Sequence, residues 1–139
     1  MGGMGYGGLG YGPTHTGGTA GIPESIAVKF DLWDNDGEGY NSTGCYTNGA
    51  APTVPATNLT SSGIDLHSGD IMQANITYSG TTLTVKIKDT VTGKSATQTY
   101  TVNIQSLTNN SSMAYFGFTA ASGSATATQD ILTWTYTSP

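Results

Sequence analysis

The chain has 139 residues, about one domain's length, and only 9% of them are charged, against roughly 25% in an ordinary soluble domain. Four Lys or Arg against nine Asp or Glu give a formal net charge of -5, which argues against a nucleic-acid surface, because that affinity rests on clustered cations releasing counterions. No apolar run approaches the ~20 residues that cross a bilayer, no basic-then-apolar leader is visible, and the single Cys45 excludes an internal disulfide framework.

Residues 1–21 are Gly-rich and hold a short repeat, Gly2-Gly3-Met4-Gly5-Tyr6 followed by Gly7-Gly8-Leu9-Gly10-Tyr11. On composition alone a flexible Gly/Tyr linker and a structured loop or arm both stand. From residue 22 to 139 strands alternate with turn residues. Ile26, Val28, Phe30 and Leu32 share one face of the first strand, with Lys29, Asp31 and Trp33 on the other. An acidic loop follows, Asp34-Asn35-Asp36-Gly37-Glu38-Gly39, then a short strand over 43–47 and a polar connection with Pro52 and Pro55. Residues 71–78 and 82–89 read as a hairpin around Ser79-Gly80, with Leu83, Val85 and Ile87 inward and Thr84, Lys86 and Lys88 outward. Thr92-Gly93 leads into a strand over 96–104, and two more are expected at 113–120 and 130–137. Nothing keeps helical spacing for more than a turn. Short antiparallel strands rich in Thr, Val and Tyr point to an all-β sandwich.

The acidic loop is the richest segment chemically. Asp31, Asp34, Asp36 and Glu38 are four of the nine acidic residues. Calcium takes several oxygen ligands from such a turn, and a glycine lets the turn close. An EF-hand does not fit, because Asp34 and Asp36 at its third and fifth positions would place Leu32 at the first. On spacing alone, a calcium loop and a solubilising surface loop both stand.

Ile26-Ala27-Val28-Lys29-Phe30-Asp31 resembles the metal-binding strand of the legume-type (L-type) lectins. The hairpin Gly69-Asp70-Ile71-Met72-Gln73-Ala74-Asn75-Ile76-Thr77-Tyr78 with Thr82-Leu83-Thr84-Val85 is similar to that family's back sheet. Residues 115–123 and 129–136 resemble its last two strands and the loop between them. The resemblance implies a concanavalin A-like jelly roll of antiparallel sheets, and carbohydrate binding.

By that resemblance Asp31, Trp33, Asn35 and Glu38 match the family's calcium ligands, Trp33 through its backbone carbonyl. Asn35 would also donate its amide to a sugar hydroxyl, and the Trp33 ring would stack on the sugar's apolar face. The family's neighbouring transition-metal site has no counterpart: Lys29 stands where a Glu ligand is expected, and Ser42, Thr43 and Gly44 near its His ligand. The expectation is that Lys29 pairs with Asp31 or Glu38 and takes over part of that ion's electrostatic role. Gly7-Gly8-Leu9-Gly10-Tyr11 is similar to the Gly-rich loop that offers a backbone N–H to sugar, so Gly7 and Gly8 join the expected site. Ser124 and Ala125 are further candidates in the variable loop.

The family's sugar-binding Asp has no counterpart here, and by the resemblance it would lie upstream of Met1 with several N-terminal strands. Missing strands would leave sheet edges and apolar faces open, to be covered by a homo-oligomer or a strand-donating neighbour. A second function follows: a structural subunit of an extracellular filament or adhesive assembly on a lectin-like scaffold. A nearly uncharged polar surface suits a secreted or cell-surface protein. An enzyme is not expected, because the alternating Glu-x-Asp-x-x-Glu of glycoside hydrolases on this sandwich is broken by Lys29 and Asn35. His15 and His67 lie far from the acidic loop in sequence and read as loop residues, and Cys45 reads as a small buried side chain. Asn41, Asn58, Asn75, Asn109 and Asn110 stand in glycosylation-type patterns, which a Ser/Thr-rich chain also produces by chance.

Overall fold

The computed structural model describes residues 6–19 and 21–137. The first copy of the Gly-rich repeat therefore falls largely outside the described residues. The elements are a 3-10 turn at Tyr6–Gly8, β1 (Ile26–Asp31), β2 (Ser42–Thr47), β3 (Thr57–Asn58), a second 3-10 turn at Thr60–Ser62, β4 (Met72–Ser79), β5 (Thr82–Asp89), β6 (Ser95–Thr101) and a single-turn helix α1 (Ile104–Leu107). The strands form two antiparallel three-stranded sheets, β1-β2-β3 and β4-β5-β6.

Period-two patterning places the core. Leu83, Val85 and Ile87 of β5 and Ala96 of β6 are buried with Leu59 and Ile64 from the connection between the sheets. Ile26 and Val28 of β1 and Cys45 of β2 pack on that cluster from the other sheet. The sheets thus face each other across a shared core, the sandwich the alternation predicts. Val85 and Ile87 are fully buried, and each such side chain stabilises the fold by about 1.5–3 kcal/mol. Lys86 and Lys88 alternate out to solvent. No helix among the described residues is long and apolar enough to cross a membrane.

The hairpin turn sits one residue later than expected. Ser79 pairs with Thr82, so Gly80-Thr81 forms the two-residue loop, and Gly80 takes the positive φ of 60° that such a turn needs. β6 stops at Thr101 rather than near 104, because the Asn103 side chain accepts the Ser106 N–H at 3.0 Å and starts α1.

Asp89 closes the turn between β5 and β6 by accepting the Val91 and Thr92 N–H groups at 2.8 and 3.0 Å. The Thr92 contacts, backbone first, hold its carboxyl below the usual 3.8. A value depressed in the folded state adds stability above the unfolded value, and that stability is lost as pH falls through the lower, folded one. Urea midpoints measured from pH 6 down to 2 should therefore fall less steeply in Asp89→Asn than in the wild type.

The expected strands at 113–120 and 130–137 are not strands: both segments lie outside any ladder and are largely exposed. They do approach each other in antiparallel spacing. The Phe116 and Tyr136 rings lie 4.1 Å apart and those of Phe118 and Trp134 5.8 Å apart. These ring pairs and a close approach of Gly10 to Thr119 and Ala120 hold them without a ladder, and a two-stranded ribbon of that kind is marginal in water. β4 is open as well. Ala74, Ile76 and Tyr78 pair with Ile87, Val85 and Leu83 and share their face, yet all three are exposed.

β1 departs from the simple inward and outward reading. Its alternation is intact, but Lys29 and Asp31 are buried while Phe30 is 37% exposed. Both faces of β1–β2 are covered, one by the second sheet and the other by loops. The loop-covered face is the polar one.

Candidate functional site

The register sets Ala27, Lys29 and Asp31 of β1 opposite Tyr46, Gly44 and Ser42 of β2, all on the face turned away from the core. Gly44 is what opens this face. A Cβ there would strike the Tyr46 ring, so glycine lets that ring lie across the strand, 5.6 Å from Lys29 Nζ. Lys29 Nζ donates to Asp31 Oδ2 at 3.2 Å and to the Thr53 carbonyl at 3.1 Å, and both members of the ion pair are almost fully buried. Burial pushes the Lys29 ammonium below its usual value, against the pull of Asp31 and then Glu38. The Tyr46 hydroxyl donates to the same Thr53 carbonyl at 2.6 Å, and burial drives its phenol well above the ordinary range.

The acidic loop is folded by its own carboxylates. Asp31 Oδ1 accepts the Trp33 N–H at 3.1 Å, Asp34 Oδ1 the Gly37 N–H at 2.7 Å, and Glu38 Oε2 the Asp36 N–H at 2.6 Å. Gly37 and Gly39 take φ near +90°, which lets so short a loop reverse direction. Asp36 points to the Gly-rich segment, accepting from the Thr16 N–H at 3.0 Å and its hydroxyl at 2.8 Å. Those contacts, the backbone one first, hold its carboxyl below the usual aspartate value.

Two buried oxygens in this region have no hydrogen-bond partner among the described residues: Glu38 Oε1, and the hydroxyl of Ser42, the register partner of Asp31. A buried carboxylate oxygen without a partner is costly and fits a site that a cation or water completes. Among the described residues no three His, Cys, Asp or Glu side chains gather as a metal-holding group. The expected calcium set contains only two such side chains, Asp31 and Glu38, with an amide and a backbone carbonyl making up the rest.

Above this buried layer lies an exposed one. Asn35 is exposed, and its side chain rests on Gly7: a Cβ at Gly7 would fall 2.8 Å from Asn35 Cγ and 2.9 Å from Oδ1. Gly7 and Gly8 are buried. Behind them Tyr11 anchors the segment, buried at 5% exposure, with its hydroxyl donating to the Tyr46 carbonyl at 3.2 Å and accepting the Gly49 N–H at 3.0 Å. Trp33 is 47% exposed, and its ring stands edge-on to Tyr40 at 5.3 Å. Ser124 and Ala125 sit in an exposed loop where the Gly123 N–H donates to the Ala125 carbonyl, and among the described residues no hydrogen bond ties this loop to Gly7 or Asn35.

Several contributors escape the sequence. Thr53, Tyr46 and Thr16 reach the site from loops and from β2. His67, far from the acidic loop in sequence, folds onto it and donates from Nε2 to the Leu32 carbonyl at 2.9 Å. Tyr40 carried a signal in hindsight, as an aromatic just after an acidic, Gly-rich loop. Asn41 spends its amide on the Ile64 carbonyl and the Leu66 N–H, so it is a structural residue here.

The two antiparallel sheets, facing each other across one core, form a β-sandwich with a carboxylate-rich loop after its first strand. The sequence matches the legume lectin domain over residues 7–139, and the chain belongs to that family. Among curated proteins, none matches the chain.

Proposed function

We propose that the chain binds carbohydrate through Asn35, Trp33 and the Gly7-Gly8 segment, with calcium held beneath them. The observation that carries this reading is the seating of Asn35 against Gly7. It brings an amide and a Gly-rich backbone together from distant stretches of chain, beside an exposed indole. Sugar hydroxyls take directed hydrogen bonds while the apolar face of a pyranose covers an aromatic ring. Asp31 and Glu38, the Asn35 amide oxygen and the Trp33 carbonyl would hold the calcium ion, and the partnerless Glu38 Oε1 fits that role. The ion would supply charge and fix the Asn35 rotamer before sugar arrives, which lowers the entropy cost of binding. Lys29 takes the place of a second metal, so we infer a single-ion site in a non-enzymatic, secreted or cell-surface protein.

Titration with calcium followed by Trp fluorescence, then with methyl mannoside and methyl galactoside, tests this. We expect a calcium response and sugar binding in the wild type, and affinity lower by about tenfold to a hundredfold in Asn35→Ala. Absence of any calcium response would remove the ion from the site; sugar binding untouched by Asn35→Ala would remove the site itself.

A second reading has its own support. The open face of β4 and the aromatic ribbon of Phe116, Phe118, Trp134 and Tyr136 are apolar surfaces of the kind that neighbours cover. Assembly into a homo-oligomer or an adhesive filament would use them. Concentration-dependent sedimentation, with no sugar binding in the same samples, favours that reading.

A further inference from the structure

We infer that His67 is a positioning residue for the candidate ion site, acting through the Leu32 carbonyl. The inference rests on the calcium reading proposed above and deepens it. Asp31 and Trp33, two of the four expected ligands, flank Leu32 at the point where β1 ends and the chain bends into the acidic loop. An ion there would use the Asp31 side chain and the Trp33 carbonyl, yet the β1–β2 ladder fixes the backbone only as far as Asp31.

Two hydrogen bonds continue where the ladder stops. Asp31 Oδ1 accepts the Trp33 N–H at 3.1 Å, and His67 Nε2 meets the Leu32 carbonyl at 2.9 Å. A carbonyl only accepts, so Nε2 is the donor. That bond commits the Leu32 carbonyl to the imidazole, while the Trp33 carbonyl takes no hydrogen bond among the described residues. Of the two adjacent carbonyls, the one expected to face the ion is the one left open. The clamp is anchored in the core. Ile64 belongs to the central hydrophobic cluster, and buried Asn41 donates to its carbonyl at 2.7 Å and accepts the Leu66 N–H at 3.1 Å. Asp65 Oδ1 then accepts the His67 N–H at 2.9 Å and lies 3.5 Å from the ring Nδ1. His67 is therefore presented to Leu32 by a loop with its own supports. Such outer partners orient metal ligands before the ion arrives.

The test titrates calcium alone by calorimetry into the wild type, His67→Ala and His67→Gln, the last keeping an N–H at about the place of Nε2. His67→Ala should bind calcium about tenfold more weakly, and His67→Gln should recover most of that loss. In chelator, with no ion present, the Trp33 amide should exchange about fivefold to tenfold faster in His67→Ala, and near the wild-type rate in His67→Gln, as read by NMR. Urea midpoints in chelator should stay close together, because the His67 side chain is 46% exposed. A His67→Ala chain that keeps either the wild-type calcium affinity or the wild-type Trp33 exchange would overturn the positioning role and leave the ion site standing. So would a loss in His67→Ala that His67→Gln does not recover. A wild type that does not bind calcium would overturn the ion reading, and the positioning role with it.

Discussion

Replacing Lys29 with methionine in calcium-free buffer should lower the unfolding free energy by about 3–5 kcal/mol. The ammonium is the buried cation facing Asp31, which it meets at 3.2 Å, and it draws on Glu38 as well. Methionine fills a similar volume but leaves Asp31 buried with only the Trp33 N–H against its charge. It also frees the Thr53 carbonyl, although Tyr46 still donates there. Burial pushes the Lys29 ammonium down against the pull of Asp31, and the cost of taking both charges out of water offsets much of their Coulomb attraction. The penalty in the variant comes from the orphaned carboxylate. The double variant Lys29→Met/Asp31→Leu should accordingly be far less destabilised than the single one, at the cost of any ion binding. Calcium should restore part of the loss in Lys29→Met and less in the wild type, because a dication can neutralise Asp31 and Glu38. Urea unfolding of all three chains, in chelator and in calcium, reads these differences. A wild-type midpoint for Lys29→Met in chelator would show that the ammonium does not hold the loop.

What could be read ahead of the structure follows from which forces are local. The β4–β5 hairpin was legible because Leu83, Val85 and Ile87 alternate with Thr84, Lys86 and Lys88 over one strand, and a glycine marks the turn. The acidic loop was legible because carboxylates are scarce in this chain and four fall together. The pairing of Lys29 with Asp31 or Glu38 followed from the family resemblance, in which Lys29 stands where an acidic metal ligand is expected, and the structure sets it on Asp31. Joining Gly7 to Asn35 needed the family resemblance, since no periodicity links a Gly-rich turn to a loop so far along the chain.

The remainder depends on contacts between loops, which alternation does not encode. Thr53 and His67 join the site through the path of irregular segments, and the carbonyls of Thr53 and Leu32 carry no side-chain signal at all. The burial of Lys29 was hidden for the same reason. An amphipathic strand implies one wet face, and here loops 34–38 and 51–55 cover it. The segments 113–120 and 130–137 show the opposite failure. Their residue types favour strands, but a strand also needs a neighbour to complete its ladder, and a pattern within one segment says nothing about that neighbour.

Gly21→Ala should destabilise the chain by about 3 kcal/mol and weaken sugar binding together, because one cluster of glycines joins the core to the site. A Cβ at Gly21 would overlap the Tyr11 carbonyl oxygen, and Gly49, at φ +66°, has its own Cβ position filled by the Gly21 backbone. The two stretches of chain therefore touch through backbone alone. Three hydrogen bonds depend on that approach: Gly21 N–H to the Gly49 carbonyl at 2.7 Å, Ile22 N–H to the Tyr11 carbonyl at 3.1 Å, and Gly49 N–H to the Tyr11 hydroxyl at 3.0 Å. Forcing the stretches apart lifts Tyr11, and Gly7 lies four residues upstream on the same tether, against Asn35. Gly17→Ala separates strain from displacement: its φ is +84°, but a Cβ there meets nothing within 4 Å. That variant should lose about 1 kcal/mol and keep its affinity for methyl mannoside or methyl galactoside, whichever the wild type binds. Urea unfolding and sugar titration on both variants decide the matter. A Gly21→Ala chain that is destabilised yet binds sugar as the wild type does would place the Gly-rich segment outside the sugar site, leaving Asn35 and Trp33 to act without it.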